Sequence, residues 1–184
     1  KLSSDFETRL EEKSKLHFEE KQRIGKRAAQ LVKEGQTIMV DAGTTTIELI
    51  HSLSQALDYL RVITPALNVA VATSHFPNIE LIMPAGVVRN LTRSLVGPQT
   101  LLSLQSHHAD WAFIATSGFS VERGVTTGNI LEVDVKRAMV RQSDKVALIT
   151  DSSKLGRTLS LTVAPLSAFD VIITDTGLPK SAKS

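Results

Sequence analysis

Short β-branched or aliphatic runs, QTIMV (36–40), RVIT (61–64), IELIM (79–83), DWAFIA (110–115), VALIT (146–150) and VIIT (171–174), alternate with helical apolar spacing at 45–57, 66–74, 96–106 and 130–143. Strand and helix in turn imply right-handed crossovers and a mostly parallel sheet with helices on both faces, an α/β fold. Polar clusters close these runs: Asp41-Ala42-Gly43-Thr44-Thr45 after QTIMV, Thr64-Pro65 after RVI, Ala115-Thr116-Ser117-Gly118 after WAFI, and Asp151-Ser152-Ser153-Lys154 after VALIT. The carboxyl ends of parallel strands share one edge, so the clusters should line a single crevice, which is where open α/β sheets bind ligands.

The flanks read differently. Residues 1–17 are charged and poor in apolar residues, a linker or helical arm, whereas Ile24, Ala28, Leu31 and Val32 form the stripe of a docked helix over 18–34, ended by Gly35. The body is expected at 18–178, followed by a short tail at 179–184. Polar, glycine-containing stretches at 89–94 and 119–128 read as loops, and TLSLTVAPL (158–166) as a further strand weakened by Pro165. A length of 184 residues suits one domain with an extension. No apolar run reaches the roughly 18 residues of a membrane span, and the absence of cysteine removes disulfide and thiolate chemistry and points to the cytoplasm. A net charge of +2, spread along the chain, does not predict nucleic-acid binding by these residues. The chain begins without methionine or a signal sequence and reads as a piece of a longer polypeptide.

The stretch DAGTTTIE (41–48) has two compatible readings. Thr45 and Glu48 fit a capping box, S/T-x-x-E. Gly43 permits a positive φ and close backbone approach, and the following N–H groups at the positive end of a helix dipole suit a phosphate. Neither a nucleotide P-loop nor a G-x-G-x-x-G pattern is present. Asn129 and Glu132 fit a second capping pair, ahead of a helix whose stripe is Leu131, Val135, Ala138 and Met139. Lys136 either pairs with Glu132 one turn earlier on a solvated face or faces the crevice and neutralises an anion. Lys154, beside Asp151, is an anion ligand or a loop lysine; Arg89 and Arg93 flank a polar loop with the same two options. The histidines (17, 51, 75, 107, 108) have no metal-ligand spacing, so no metal is assigned, and a G-x-S-x-G elbow is missing.

Read in order, EEKQRIGKRAAQLVKEGQTIMVDAGTTTIELI, VITPALNVA, LIMPAGVVRNLTRSLVGP, ADWAFIATSGFSVERGVTT, LEVDVKRAMVRQSDKVALITDSSKLG and DVIITD closely resemble the effector-binding C-terminal domain of DeoR-type bacterial transcription regulators, over about residues 6–175. The resemblance implies a fold similar to ribose phosphate isomerase and the coenzyme A transferases. It also implies a phosphorylated sugar as effector, no cofactor, and operator DNA bound only through an N-terminal winged helix-turn-helix domain outside this chain. Carried over residue by residue, it marks Asp41, Gly43, Thr44 and Thr45 as the phosphate loop, Lys136 with Glu132 before it, and Asp151, Ser153 and Lys154. It also marks Thr64 and Gly86, with departures: Thr64-Pro65-Ala66 stands where relatives usually have Thr-Asn-Ser, and Ala85-Gly86 where they have Gly-Gly. These departures bear on which sugar is bound more than on the phosphate.

A sensing domain of a sugar-operon repressor is therefore the leading expectation, non-enzymatic and without a membrane association. A sugar-phosphate isomerase of the same fold, with Asp110, Glu122 or Glu132 as base, is the alternative. Assembly into a homo-oligomer, a dimer or tetramer, is compatible with the first.

Overall fold

The computed structural model describes residues 10–179, so the first part of the expected arm and all but Pro179 of the expected tail lie outside the described residues. Its centre is a six-stranded sheet ordered β11-β9-β6-β1-β2-β3. In chain order these strands are β1 (Thr37–Val40), β2 (Leu60–Ile63), β3 (Ile79–Ile82), β6 (Ala109–Ile114), β9 (Ser143–Ile149) and β11 (Val171–Ile173). Every pairing in it is parallel. The order runs outward in opposite directions from β1 and β6, which makes their junction the topological switch point.

Alternation along the strands divides the core between the two faces. Ile38, Val40, Trp111 and Phe113 point to one face, where they pack with Ile24 and Ala28 of α2 (Phe18–Ala29), with Leu49, Ile50 and Leu53 of α3 (Thr44–Leu53), and with Val69 of α4 (Leu67–Thr73). Met39, Ala112, Ile114 and Leu148 point to the other. There they meet Leu104 of α5 (Pro98–Gln105) and Val135, Ala138 and Met139 of α6 (Ile130–Arg141). Among the described residues no helix is long and apolar enough to cross a membrane.

Several boundaries depart from the sequence reading. The first docked helix stops at Ala29 rather than 34, and a turn closed by Leu31 N–H to Ala28 O (3.0 Å) and Val32 N–H to Ala29 O (3.2 Å) carries the chain toward β1. Gly35, at φ 77°, lets that chain bend while its N–H bonds Tyr59 O at 3.0 Å. The polar stretch at 119–128 is not a loop: it holds most of an antiparallel hairpin, β7 (Gly118–Ser120) and β8 (Gly124–Thr127). The segment TLSLTVAPL supplies β10 (Leu161–Ala164), which joins β8 antiparallel in a separate three-stranded sheet, with Pro165 just past its end. These strands are too short to show periodicity, and β10 is held by a partner distant in sequence. The ends of the loop expected at 89–94 belong to a second hairpin, β4 (Val87–Arg89) with β5 (Ser94–Val96).

Helices α2 and α3 cross at Gly25, where a Cβ would stand 2.5 Å from the Glu48 carbonyl carbon and 2.7 Å from Leu49 N. This contact sets how closely α2 can lie on the body. Gly25→Ala, which would gain about 1 kcal/mol in an exposed helix, is expected instead to lose about 1–3 kcal/mol by overpacking, measured by urea denaturation.

Candidate functional site

The carboxyl ends of β1, β6 and β9 open into a cavity of about 560 Å³, within the range of small-molecule sites. Its floor is the switch point. Asp41, the residue after β1, is 3% exposed and accepts from Ala115 N–H at 3.0 Å, while its own N–H bonds Phe113 O at 3.0 Å. Lys136 comes from α6 and is 7% exposed; its Nζ donates to the same Asp41 carboxylate and to Ala115 O at 2.9 Å. Lys136 therefore faces the crevice with Asp41, not Glu132, as its partner. Burial holds the Asp41 carboxyl above the usual carboxylate range, with the Lys136 charge pulling it back down.

The DAGTTTIE stretch starts α3, but without the expected capping box. The helix begins at Thr44, Gly43 is its N-cap and has no side chain to offer, and among the described residues no side chain accepts from the N–H groups of the first turn. Thr46 Oγ1 instead donates back to Gly43 O at 2.9 Å, a carbonyl that Asn68 Nδ2 also reaches at 3.1 Å. Glu48 points toward His51, 3.9 Å away. Gly43 is extended, with φ 177°, so a left-handed backbone is not why glycine stands there. Close approach is: a Cβ would lie 2.8 Å from that of Ala115. The uncapped first turn, with Thr44 and Thr45, forms one wall of the cavity.

Asp151 also lines the cavity and caps the short turn 152–154 by accepting from Ser153 N–H at 3.2 Å and from the Ser153 hydroxyl. Lys154 Nζ lies 3.9 Å from the Asp151 carboxylate and lines the cavity. On a third side Asn129 caps α6 through Leu131 N–H at 3.1 Å and Glu132 N–H at 3.4 Å. Glu132 does not complete the second expected box. Its Oε1 accepts from Arg89 Nη1 at 2.9 Å and from Thr92 Oγ1, tying the β4–β5 loop to α6. Thr92, Ser94 and Glu132 together give the cavity a hydroxyl- and carboxylate-bearing wall.

Seven of the expected site residues thus surround one space: Asp41, Gly43, Thr44, Thr45, Lys136, Asp151 and Lys154. Thr64, Gly86 and Ser153 are not on its wall. Thr64 is fully buried, bonding Val40 O at 2.6 Å and receiving Ala66 N–H at 3.1 Å, so it holds β1 and β2 together. Gly86, at φ 154°, sits where a Cβ would meet Thr100 Oγ1 at 2.0 Å. Ser153 is spent on Asp151. Of the carboxylates weighed as an isomerase base, Asp110 accepts from Thr37 N–H at 2.8 Å, Glu122 is exposed, and only Glu132 reaches the cavity. Lys13, Lys21, Arg157 and Thr158 also line it, and sequence reasoning missed them. Lys21 alone carried a legible signal, a lysine one turn before Ile24 and Gly25 on the inward face of α2.

The sequence pattern of the DeoR C terminal sensor domain matches residues 16–176. The HTH-type transcriptional regulator YgbI of Escherichia coli K12 is 39% identical over 92% of this chain and 66% of its own length. GlcR of Bacillus subtilis, an HTH-type transcriptional repressor, is 37% identical over 89% of this chain and 62% of its own. The HTH-type regulator GolR of Listeria innocua is 33% identical over 90% of this chain and 65% of its own. The chain therefore spans a little under two thirds of the length of these relatives. Among solved structures, ribose 5-phosphate isomerase A of Methanocaldococcus jannaschii superimposes with a TM-score of 0.55 at 16% identity, covering 76% of this chain and 55% of that one. Initiation factor eIF2B delta of Chaetomium thermophilum gives 0.61 at 16%, covering 85% and 55%. At such identities the likeness is one of fold.

Lys136→Met strands a buried carboxylate. It is expected to cost about 3–5 kcal/mol at neutral pH in urea denaturation, and adding Asp41→Asn should return part of that loss. The pH dependence has a definite sign. Above the ordinary value of 3.8 the unfolded chain releases the Asp41 proton while the fold keeps it up to its own higher value, so this group's contribution to stability falls as pH rises through that window. In Lys136→Met the fall should extend to higher pH, because the charge that pulls the Asp41 carboxyl back down is gone.

Proposed function

The chain belongs to the DeoR C-terminal sensor-domain family, and on that premise we propose that its cavity binds a phosphorylated sugar and reports it to an N-terminal winged helix-turn-helix domain of a longer repressor. The observation that carries this reading is the uncapped first turn of α3 lining the same cavity as Lys136 and Lys154. Free N–H groups at the positive end of a helix dipole, with two ammonium groups on the same cavity, suit a dianionic phosphate. Thr44 and Thr45 add hydroxyl donors. Asp41 serves the phosphate indirectly, by fixing the Lys136 ammonium against the end of β6. The sugar hydroxyls then meet Glu132, Thr92 and Ser94, which accept and donate as polyol recognition requires.

Reporting needs no bond to be made or broken. The ligand need only bind one arrangement of the regulator better than another and so shift their populations. Glu132, the one proposed base on the cavity wall, is held by Arg89 and Thr92, which favours a recognition role over proton transfer. Relatives whose names are those of regulators and repressors support the same reading. The regulator acts in the cytoplasm, as a dimer or tetramer, with operator DNA reached through the N-terminal domain.

A panel of sugar phosphates and the matching free sugars tests this. A ligand at about 100 times its Kd should add roughly 2.7 kcal/mol and raise the melting temperature by about 5–10 °C in a chain of this size. One phosphosugar is expected to do so while its free sugar does not, and Lys154→Met should remove the shift. No shift across the panel would refute the reading.

A further inference from the structure

The lysines that line the cavity do not stand on equal supports. Lys13 sits on α1 (Leu10–Lys15), Lys21 on α2 and Lys136 on α6, whereas Lys154 belongs to a turn of only three residues, Ser152–Lys154, between β9 and the chain that leads to β10. A lone 3-10 turn has poorer hydrogen-bond geometry than an α-helix and little rigidity of its own. Its backbone bonds run from Lys154 N–H to Asp151 O at 3.2 Å and from Leu155 N–H to Ser152 O at 3.1 Å. Where the turn stands in the fold is therefore set by what grips it from outside. Its far end is held just beyond Leu155, where Gly156 N–H bonds Phe119 O at 2.9 Å.

The near end is held by the chain that follows β11. Asp175, two residues past that strand, accepts from Ser152 N–H on Oδ2 and from the Ser152 hydroxyl on Oδ1, each at 2.7 Å. The same Oδ1 accepts from Gly177 N–H at 2.7 Å. Only glycine fits at 177: a Cβ there would stand 2.5 Å from Ser152 Oγ and 2.8 Å from Asp175 Oδ1. Leu178 then packs against the core cluster that contains Met39 and Ile114, which ties this chain to the body. Burial works against the Asp175 charge, but the donors of Ser152 and Gly177 outweigh it and hold the carboxyl below the usual range. Asp175 itself is not on the cavity wall.

We infer that Asp175 is a positioning residue of the anion site: with Gly177 it clasps Ser152 and so fixes the turn that presents Lys154 to the cavity. The inference rests on the phosphosugar reading above and deepens it, by making the chain beyond the last strand part of the binding apparatus. A turn already fixed in place has less freedom to lose when its lysine engages an anion. Anion and clasp favour the same backbone, so each strengthens the other, as linkage requires.

The test uses the 184-residue chain with inorganic phosphate as probe, against chloride at matched ionic strength. Titration calorimetry reports affinity, urea denaturation reports stability, and amide hydrogen exchange at Ser152 and Gly177 reports the clasp. Asp175→Asn keeps the size of the side chain but replaces one acceptor oxygen with an amide nitrogen. It is expected to speed exchange at both amides and to weaken phosphate binding about tenfold. Asp170→Asn controls for stability alone, because Asp170 holds Val146 N–H at 2.7 Å by the same kind of bond at the other end of β11, off the cavity wall. It should lose stability yet keep phosphate affinity within about twofold. Ser152→Ala removes only the hydroxyl bond and should weaken binding in the same direction by less, which decides the matter if Asp175→Asn does not fold. If Lys154→Met abolishes binding while Asp175→Asn and Ser152→Ala bind as the unsubstituted chain does, the phosphate site stands and the positioning role is overturned. Equal losses of affinity in Asp175→Asn and Asp170→Asn reduce the effect to lost stability and overturn it too. So does weakened binding in Asp175→Asn with exchange at Ser152 unchanged. A chain that ignores phosphate altogether overturns the phosphate reading, and this inference with it.

Discussion

A single buried ion pair organises this domain. Asp41 ends β1, Ala115 follows β6, and Lys136 rises from α6; the carboxylate accepts from both the Ala115 amide and the lysine, and the lysine returns to the Ala115 carbonyl. Those bonds join the two strands between which the sheet reverses direction to the helix that covers its far face. The pair stands where two charges leave water at considerable cost, and the bonds to Ala115 help to offset it. A hydrophobic substitute of equal volume would hold the strands as firmly. It would not leave an ammonium on the cavity wall, and that is the physical case for retaining the pair in a sensing domain.

From that floor the rest of the cavity follows by topology. Strand ends deliver Thr44, Thr45 and Lys154 to one edge because every pairing of the central sheet is parallel. The antiparallel pieces supply the remainder. The β4–β5 hairpin brings Thr92 and Ser94 against Glu132, and the β7–β8–β10 sheet closes the side near Thr127. Lys136 and Lys154 sit at the strand ends, each beside a carboxylate, while Glu132, Thr92 and Ser94 stand together at the hairpin with no lysine bonded to them. This division fits a ligand with one anionic end and one polyol end.

Much of this was legible along the chain. The apolar runs became the six parallel strands with end shifts of at most three residues, because buried parallel strands need continuous aliphatic sequence. Their polar termini marked the crevice for the same reason. Capping was less legible. Thr45 with Glu48 has the spacing of a capping box, but the N-cap is Gly43, two residues before Thr45, which leaves Glu48 beyond the first turn. Thr64, Gly86 and Ser153 have the residue types of ligand contacts, yet each is occupied by backbone or a neighbour, which spacing alone does not show.

What the sequence by itself determined is the parallel α/β architecture, the family, and the edge of the sheet that carries the cavity. Each depends on local order: periodicity within a run, and the residue that follows it. What only the tertiary structure decided is which charges meet. Lys136 chose Asp41, 95 residues away, over Glu132 one turn along its own helix, because α6 packs its inner face on the sheet and Lys136 lies on that face. Lys21 faces the cavity because Gly25 lets α2 lie close on α3. Pairing between distant side chains is set by how helices dock, and docking depends on volumes and crossing geometry that a linear pattern does not encode.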